Sequence, residues 1–221
     1  MTDFPLVMCL LVTYKRTELA LRTIRGVQQN IDYPSLDWVI ADDGSPAGHV
    51  EALVAAIGHE VSVFNAARKG VGVSMNEGAR LCLEKADYIL WLEDDWEITK
   101  PFDLRPCVQF LGLREDVGMV RLGYISPGIS ATLIAAAGQL WWKLEKGETY
   151  TFTGHAALRH RRFIDAYLPY QEGISPGETE LYMCGKFNNT VGPTVAVPAW
   201  TGIWGVFGHI GGESLNNVRP E

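Results

Sequence analysis

A chain of 221 residues that is 47% hydrophobic and 20% charged has enough apolar material for a well-packed core, which excludes a disordered chain and leaves little room for a second full domain. Its formal charge of -7 gathers in the first hundred residues, with 9 Lys and Arg against 15 Asp and Glu, which disfavours general nucleic-acid binding. The run Arg159-His160-Arg161-Arg162 is the local exception. Cys9, Cys82, Cys107 and Cys184 are far apart and form no CxxC pair, so they read as buried free thiols. Residues 129–140 are the nearest approach to a membrane span and fall short of the ~18 apolar residues one needs. Residues 5–12 lack the flanks of a signal peptide, so the expected location is cytoplasmic.

In chain order, residues 6–13 predict a strand that is apolar throughout and therefore buried on both faces. Thr17 offers an N-cap for a helix in which Leu19, Ile24 and Val27 share a face. Residues 37–41 predict a second strand, ending in the turn Asp42-Asp43-Gly44-Ser45-Pro46. A helix over 50–57, a strand over 61–64, a helix over 73–85 and a strand over 88–92 follow. This β-α-β-α-β-α-β order predicts a mostly parallel sheet covered by helices. Beyond residue 100, helices are expected over 104–113, 161–167 and 178–187, and strands over 118–122 and 194–197. Alternation across residues 139–153 around Gly147 suggests a hairpin or a pair of antiparallel strands.

Ligands of parallel sheets gather at the carboxyl ends of the strands. Three polar clusters fall there: residues 13–16, Asp42 to Ser45, and Glu93-Asp94-Asp95. Three consecutive carboxylates at the end of a buried strand repel one another unless a cation compensates them. Mg²⁺ and Mn²⁺ take carboxylate oxygens and keep positions for phosphates. One carboxylate of Asp42-Asp43 can accept hydrogen bonds from a base or ribose, with Gly44 allowing close backbone approach.

Together, Leu11-Val12-Thr13-Tyr14-Lys15-Arg16, Asp42-Asp43-Gly44-Ser45, Lys69 to Asn76, and Leu92-Glu93-Asp94-Asp95 resemble the family 2 glycosyltransferases of the GT-A fold. The resemblance implies an α/β Rossmann-like nucleotide-diphospho-sugar transferase fold, with a smaller antiparallel C-terminal part. It implies one domain over 1–221, with a donor-binding half over 1–98 and an acceptor-binding half over 99–221. Thr13, Tyr14 and Arg16 match the loop that meets the donor nucleotide, Asp43 the carboxylate that binds the base, with Asp42 beside it, and Asn76 a position near the nucleotide. The triplet matches the family's Asp-x-Asp, with Glu in the first position: Glu93 and Asp94 on the donor side, and Asp95 as the direct ligand of Mn²⁺ or Mg²⁺. His209 resembles the late histidine that closes the metal site in several GT-A enzymes. Gly177-Glu178-Thr179-Glu180-Leu181 is similar to the segment from which inverting members supply a general base, and both Glu180 and Glu178 are candidates.

The function expected is inverting transfer of a sugar from a nucleoside-diphosphate donor, a UDP-sugar first, to a hydroxyl of a saccharide or other small acceptor. Trp96, His155 and Arg161 are weaker acceptor-side candidates. Arg159 to Arg162 and the aromatics also leave room for a DNA acceptor, a hydroxylated base held unstacked. A nucleotidyltransferase and a non-catalytic sugar-nucleotide-binding protein are the competing classes. The sequence leaves the oligomeric state open.

Overall fold

Val7–Thr13 form a strand, β1, in which all seven residues are buried. The computed structural model that contains it describes residues 4–211, apart from Pro127 and Thr149. A strand apolar on both faces requires cover on both. The elements that follow supply it: α1 (Thr17–Asn30), β2 (Ile31–Asp32), β3 (Leu36–Asp42), α2 (His49–Ile57), β4 (Ser62–Asn65), α3 (Val71–Leu83) and β5 (Tyr88–Glu93). Successive side chains of a strand point to opposite faces. Met8, Leu10 and Val12 accordingly join a cluster with Met75, Ala79 and Cys82 of α3, while Cys9 and Leu11 join Ala20 and Ile24 of α1 and Leu53 of α2. Close approach of α3 depends on Gly78, where a Cβ would lie 2.5 Å from Leu10 Cδ1 and 2.9 Å from Ala41 Cβ.

The second half continues the same sheet. It contributes β6 (Trp96–Glu97), β7 (Phe102–Asp103), α4 (Arg105–Leu113), β8 (Val117–Arg121), β9 (Ala131–Ala136), β10 (Gln139–Leu144), β11 (Ala157–His160), α5 (Arg161–Tyr167), α6 (Pro176–Asn189), β12 (Thr194–Pro198) and β13 (Gly208–His209). The nine-stranded order is β4-β3-β1-β5-β11-β8-β12-β10-β9. The first four strands are parallel. β11 runs antiparallel to both β5 and β8, so β8 points the same way as β5. The carboxyl ends of β1, β3, β5 and β8 and the amino end of β11 therefore share one edge. Two short ladders stand apart from the sheet, β6 with β13 antiparallel and β2 with β7 parallel.

Several expectations are corrected. The hairpin is β9–β10 and turns at Ala137-Gly138, not around Gly147. Both turn residues have positive φ, 51° and 71°, the backbone a two-residue hairpin needs. An alanine there hides the turn from a search for Asn-Gly or Gly-Gly pairs. Thr17 is the first helical residue rather than the cap, and its Oγ1 lies 2.7 Å from His49 Nδ1. β11 was not foreseen, because its Arg159-His160 pair breaks any apolar pattern. Arg159 is nevertheless fully buried, its guanidinium 3.9 Å from the Trp91 ring centroid and donating to the Tyr170 hydroxyl at 2.8 Å. All four cysteines are buried and free. Among the described residues, no helix is long and apolar enough to cross a membrane.

Candidate active site

β5 ends at Glu93, and the chain turns through Asp94 and Asp95 before Trp96 opens β6. Asp94 is fully buried and well partnered. Its Oδ2 accepts from Thr13 Oγ1 at 2.9 Å and from Tyr14 N at 3.1 Å, and its carbonyl accepts from Thr23 Oγ1 at 3.1 Å. Arg16 forks over both aspartates, Nη1 donating to Asp95 Oδ2 at 2.6 Å and Nη2 to Asp94 Oδ1. Asp95 Oδ2 also meets His209 Nε2 at 3.1 Å, while Asp95 Oδ1 is buried with no hydrogen-bond partner among the described residues. The β6–β13 ladder delivers His209, which stands opposite Trp96 in register.

The three carboxyls respond differently. Burial, then the charges of Asp95, Asp94 and Glu180, pushes Glu93 up to about 8. Burial also raises Asp94, against the opposing pull of Arg16 and its hydrogen bonds. Burial works to raise Asp95 as well, but the His209 hydrogen bond and the Arg16 charge outweigh it and hold Asp95 below the usual carboxylate range. Asp95 is thus the carboxylate best kept ionised.

A cavity of about 1080 Å³ opens above this edge. Thr13, Tyr14, Arg16, Asp43, Glu93, Asp94, Asp95, Trp96, His155, Glu180 and His209 all line it, so most of the sequence candidates converge on one space. Asp43 Oδ1 accepts from Gly70 N at 2.8 Å, which ties the β3 turn to the glycine turn before α3. The Tyr14 hydroxyl is buried without a hydrogen-bond partner among the described residues, and Arg68 lies 5.7 Å from the centroid of its ring.

Four candidates stand elsewhere. Asp42 is fully buried beneath the turn and accepts from Ser45 N and Asn65 Nδ2, each at 2.9 Å, and from Ser45 Oγ; it closes the turn rather than facing the cavity. Asn76 pins the segment after α5, its Nδ2 donating to Tyr170 O at 3.1 Å and its Oδ1 accepting from Tyr170 N at 2.8 Å. Glu178 forms a capping box with Ser175, accepting from Ser175 N at 2.9 Å, whereas Glu180, half a turn later, points to the cavity and accepts from Gly154 N at 3.0 Å. Arg161 follows the carboxyl end of β11, and therefore lies at the opposite edge of the sheet, bonded to Asp87 and Leu83 O. Arg162 donates to Val117 O and Leu111 O. Protein groups thus engage every arginine of the basic run on which a DNA acceptor was considered.

Along the cavity wall, Trp96, Tyr124 and His155 form an aromatic cluster, with ring centroids 4.3 to 6.1 Å apart. Burial, reinforced by neighbouring Arg121, pushes His155 down to about 2, so its imidazole is neutral. Sequence reasoning missed two residues. His49, buried on α2, has Nε2 3.0 Å from Thr13 Oγ1 and so braces the threonine that holds Asp94. Arg121, fully buried at the end of β8, donates to Tyr150 O at 2.9 Å and to Tyr124 O, and lines the cavity. A charge ending an apolar run was the signal used for Glu93, and it would have found Arg121 too. His49 left no such signal.

Asp95 and His209 fit a divalent cation. They offer a hard carboxylate with an unpartnered buried oxygen, next to an imidazole. Among the described residues, no group of three or more His, Cys, Asp or Glu side chains forms a metal shell by itself. The two would hold such an ion together with oxygens of a bound phosphate group, the arrangement Mg²⁺-type ions favour.

A mostly parallel sheet with a carboxylate cluster and a wide cavity at its carboxyl edge defines an α/β protein with a candidate ligand site at the strand ends. The model of glycosyl transferase family 2 matches residues 9–168, and the chain belongs to that family. No curated protein matches it by sequence. Among solved structures, S. aureus TarS 1–349 in complex with UDP superposes with a TM-score of 0.61 at 15% identity, over 87% of this chain and 57% of that one. GalNAc-T7 with UDP, GalNAc and Mn²⁺ gives 0.62 at 15%, over 90% and 43%. The mannosyltransferase PcManGT from Pyrobaculum calidifontis, with GDP-Man and Mn²⁺, gives 0.58 at 15%, over 90% and 58%. The shared feature is the GT-A fold, and the chain spans about half the length of these relatives.

Proposed function

We propose that this protein is a metal-dependent glycosyltransferase that moves a sugar from a nucleoside-diphosphate donor, a UDP-sugar first, to an acceptor hydroxyl with inversion. The observation that carries the reading is the convergence on one cavity of Asp95 with His209, Asp43 with the Thr13–Arg16 loop, and Glu180. Thr13, Tyr14, Arg16 and Asp43 would hold the nucleotide and diphosphate, with Glu93 and Asp94 behind them. Asp42 and Asn76 would act indirectly, by shaping the turn and the loop. Asp95 and His209 would hold Mn²⁺ or Mg²⁺, which supplies charge to the leaving diphosphate. Arg16 adds a forked donor for phosphate oxygens.

Glu180 is the proposed general base. It lines the cavity from α6, and its carboxylate would take the acceptor proton as the hydroxyl attacks the anomeric carbon. Tyr124, 38% exposed beside the buried Trp96, offers a ring face for a sugar, and the engagement of Arg159, Arg161 and Arg162 by protein groups supports a saccharide acceptor over DNA. The first hundred residues would form the donor side and the remainder the acceptor side of the one cavity.

A thermal-shift screen of nucleotide sugars, with and without Mn²⁺, tests the reading, because a bound donor stabilises the fold by mass action. A metal-dependent rise in Tm with one class of donor is expected. No shift with any UDP-, GDP-, ADP-, CMP- or dTDP-sugar would contradict it. Donor hydrolysis that releases a nucleoside diphosphate, rather than pyrophosphate, separates transfer from nucleotidyl chemistry, and any turnover separates it from binding alone.

A further inference from the structure

The ion-pair pattern of the acidic turn holds information about the order of binding. Arg16 Nη1 lies 2.6 Å from Asp95 Oδ2, the same oxygen that His209 Nε2 approaches at 3.1 Å, and Nη2 of the same guanidinium engages Asp94. One internal cation therefore serves two buried carboxylates, whose side chains are 1% and 5% exposed. A divalent ion at Asp95 would compete for that oxygen and would sit beside a fixed positive charge. At close range in a partly buried site, that repulsion is screened less than it would be in open solvent. Metal binding and the present position of Arg16 oppose each other.

Arg16 can move without dismantling the turn. Its side chain is 41% exposed, and it lines the cavity. Asp94 keeps Thr13 Oγ1 and Tyr14 N when the guanidinium leaves. Among the described residues, Asp95 keeps the His209 contact on Oδ2, and its Oδ1 has no hydrogen-bond partner. A diphosphate entering the cavity presents the forked anionic oxygens that a guanidinium binds best. It would draw Arg16 off the aspartates and bring oxygens to the metal in the same event.

We propose that Arg16 is an internal counter-ion of the metal site, which keeps the affinity for a divalent ion low until a nucleoside diphosphate pulls its guanidinium away. Metal and nucleotide then bind cooperatively, each raising the affinity of the other. This rests on the reading of Asp95 as a metal ligand, and the experiment separates the two.

Mn²⁺ is titrated against wild type, Arg16→Gln, Arg16→Lys and Asp95→Asn, with free ion read by electron paramagnetic resonance, in the absence and presence of UDP or GDP. Wild type is expected to bind Mn²⁺ weakly alone and at least tenfold tighter with the matching nucleotide, inside the usual range of coupling of about 5- to 150-fold. Arg16→Gln is expected to bind nucleotide-free Mn²⁺ roughly tenfold tighter than wild type and to lose most of the nucleotide effect. Arg16→Lys, a point charge that cannot fork over two carboxylates, is expected to fall between them. Circular dichroism confirms that each variant is folded, and Arg16→Lys carries the comparison if Arg16→Gln is not. Equal or weaker nucleotide-free affinity in both Arg16 variants, with binding lost in Asp95→Asn, would overturn the counter-ion role and leave the metal site standing. Undiminished Mn²⁺ binding in Asp95→Asn would overturn the metal site itself.

Discussion

The two edges of the central sheet treat their carboxylates in opposite ways. At the amino edge, Asp87 and Asp116 stand just before β5 and β8, half exposed, and each meets a cation: Asp87 with Arg161, Asp116 with Arg114 at 2.8 Å and Lys143 at 2.7 Å. The Arg114 hydrogen bond, followed by Lys143, holds Asp116 well below the ordinary carboxylate range. At the carboxyl edge, Glu93, Asp94 and Asp95 are crowded into a turn with one guanidinium between them, and Glu93 is driven upward. Charge that the protein itself neutralises belongs to the scaffold. Buried charge left short of partners marks the place where a ligand completes the balance.

The largest effect should follow from breaking the carboxyl edge. Asp95→Ala is expected to lower sugar transfer by roughly a hundredfold or more, measured as nucleoside-diphosphate release, because the leaving group loses its metal. Glu180→Gln is expected to lower kcat by roughly 10²- to 10⁴-fold with the donor KM nearly unchanged, as suits a group that acts on the acceptor. A fall in donor affinity without loss of kcat would place Glu180 on the wrong side of the reaction.

The pH dependence of stability sharpens the comparison from the amino edge. Burial, then the charge of Arg162, pushes His160 from 6.5 down to about 4, and its Nδ1 accepts the N-capping bond from Arg162 N. The unfolded chain therefore takes up this proton more readily than the native one. The contribution of His160 is complete above about pH 6.5 and is lost as the pH falls towards 4. His155, held neutral in the same way, adds in the same direction. Chemical denaturation of His160→Asn, which keeps a capping side chain, should show a shallower loss over that interval. An unchanged slope would mean that His160 carries none of it.

Smaller effects separate the neighbours Glu178 and Glu180. Glu178→Ala removes half of a capping box and should lower Tm slightly with turnover unchanged. Arg161→Ala, at the amino edge, should leave activity within about twofold and cost no more than about 1 kcal/mol, the usual range for an exposed ion pair. Activity loss in Arg161→Ala would reopen the acceptor role considered for it.

The first half of the sheet was legible in the sequence because its logic is local. Apolar runs ending in polar clusters place Thr13, Asp43 and Asp95 at the carboxyl ends of parallel strands, and the helix pattern supplies the crossovers. The second half is assembled by pairings that leave little periodic trace. β11 carries a buried arginine, the hairpin turns on an alanine with positive φ, and His209 arrives through a ladder of two residues. Part of what was missed was nevertheless written in the chain. Ser175 followed by Glu178 at the start of α6 is a capping-box signature, and it assigns Glu178 to the helix end and leaves Glu180 for the cavity.

The most direct test of the account compares wild type and Asp95→Asn for turnover of the donor that gives the largest thermal shift, with Mn²⁺ present or chelated. Wild type with Mn²⁺ is expected to release a nucleoside diphosphate, to lose at least about a hundredfold of that turnover on chelation, and to be matched in that loss by Asp95→Asn at any Mn²⁺ concentration. Pyrophosphate as the product, or wild-type turnover in Asp95→Asn, would contradict the account.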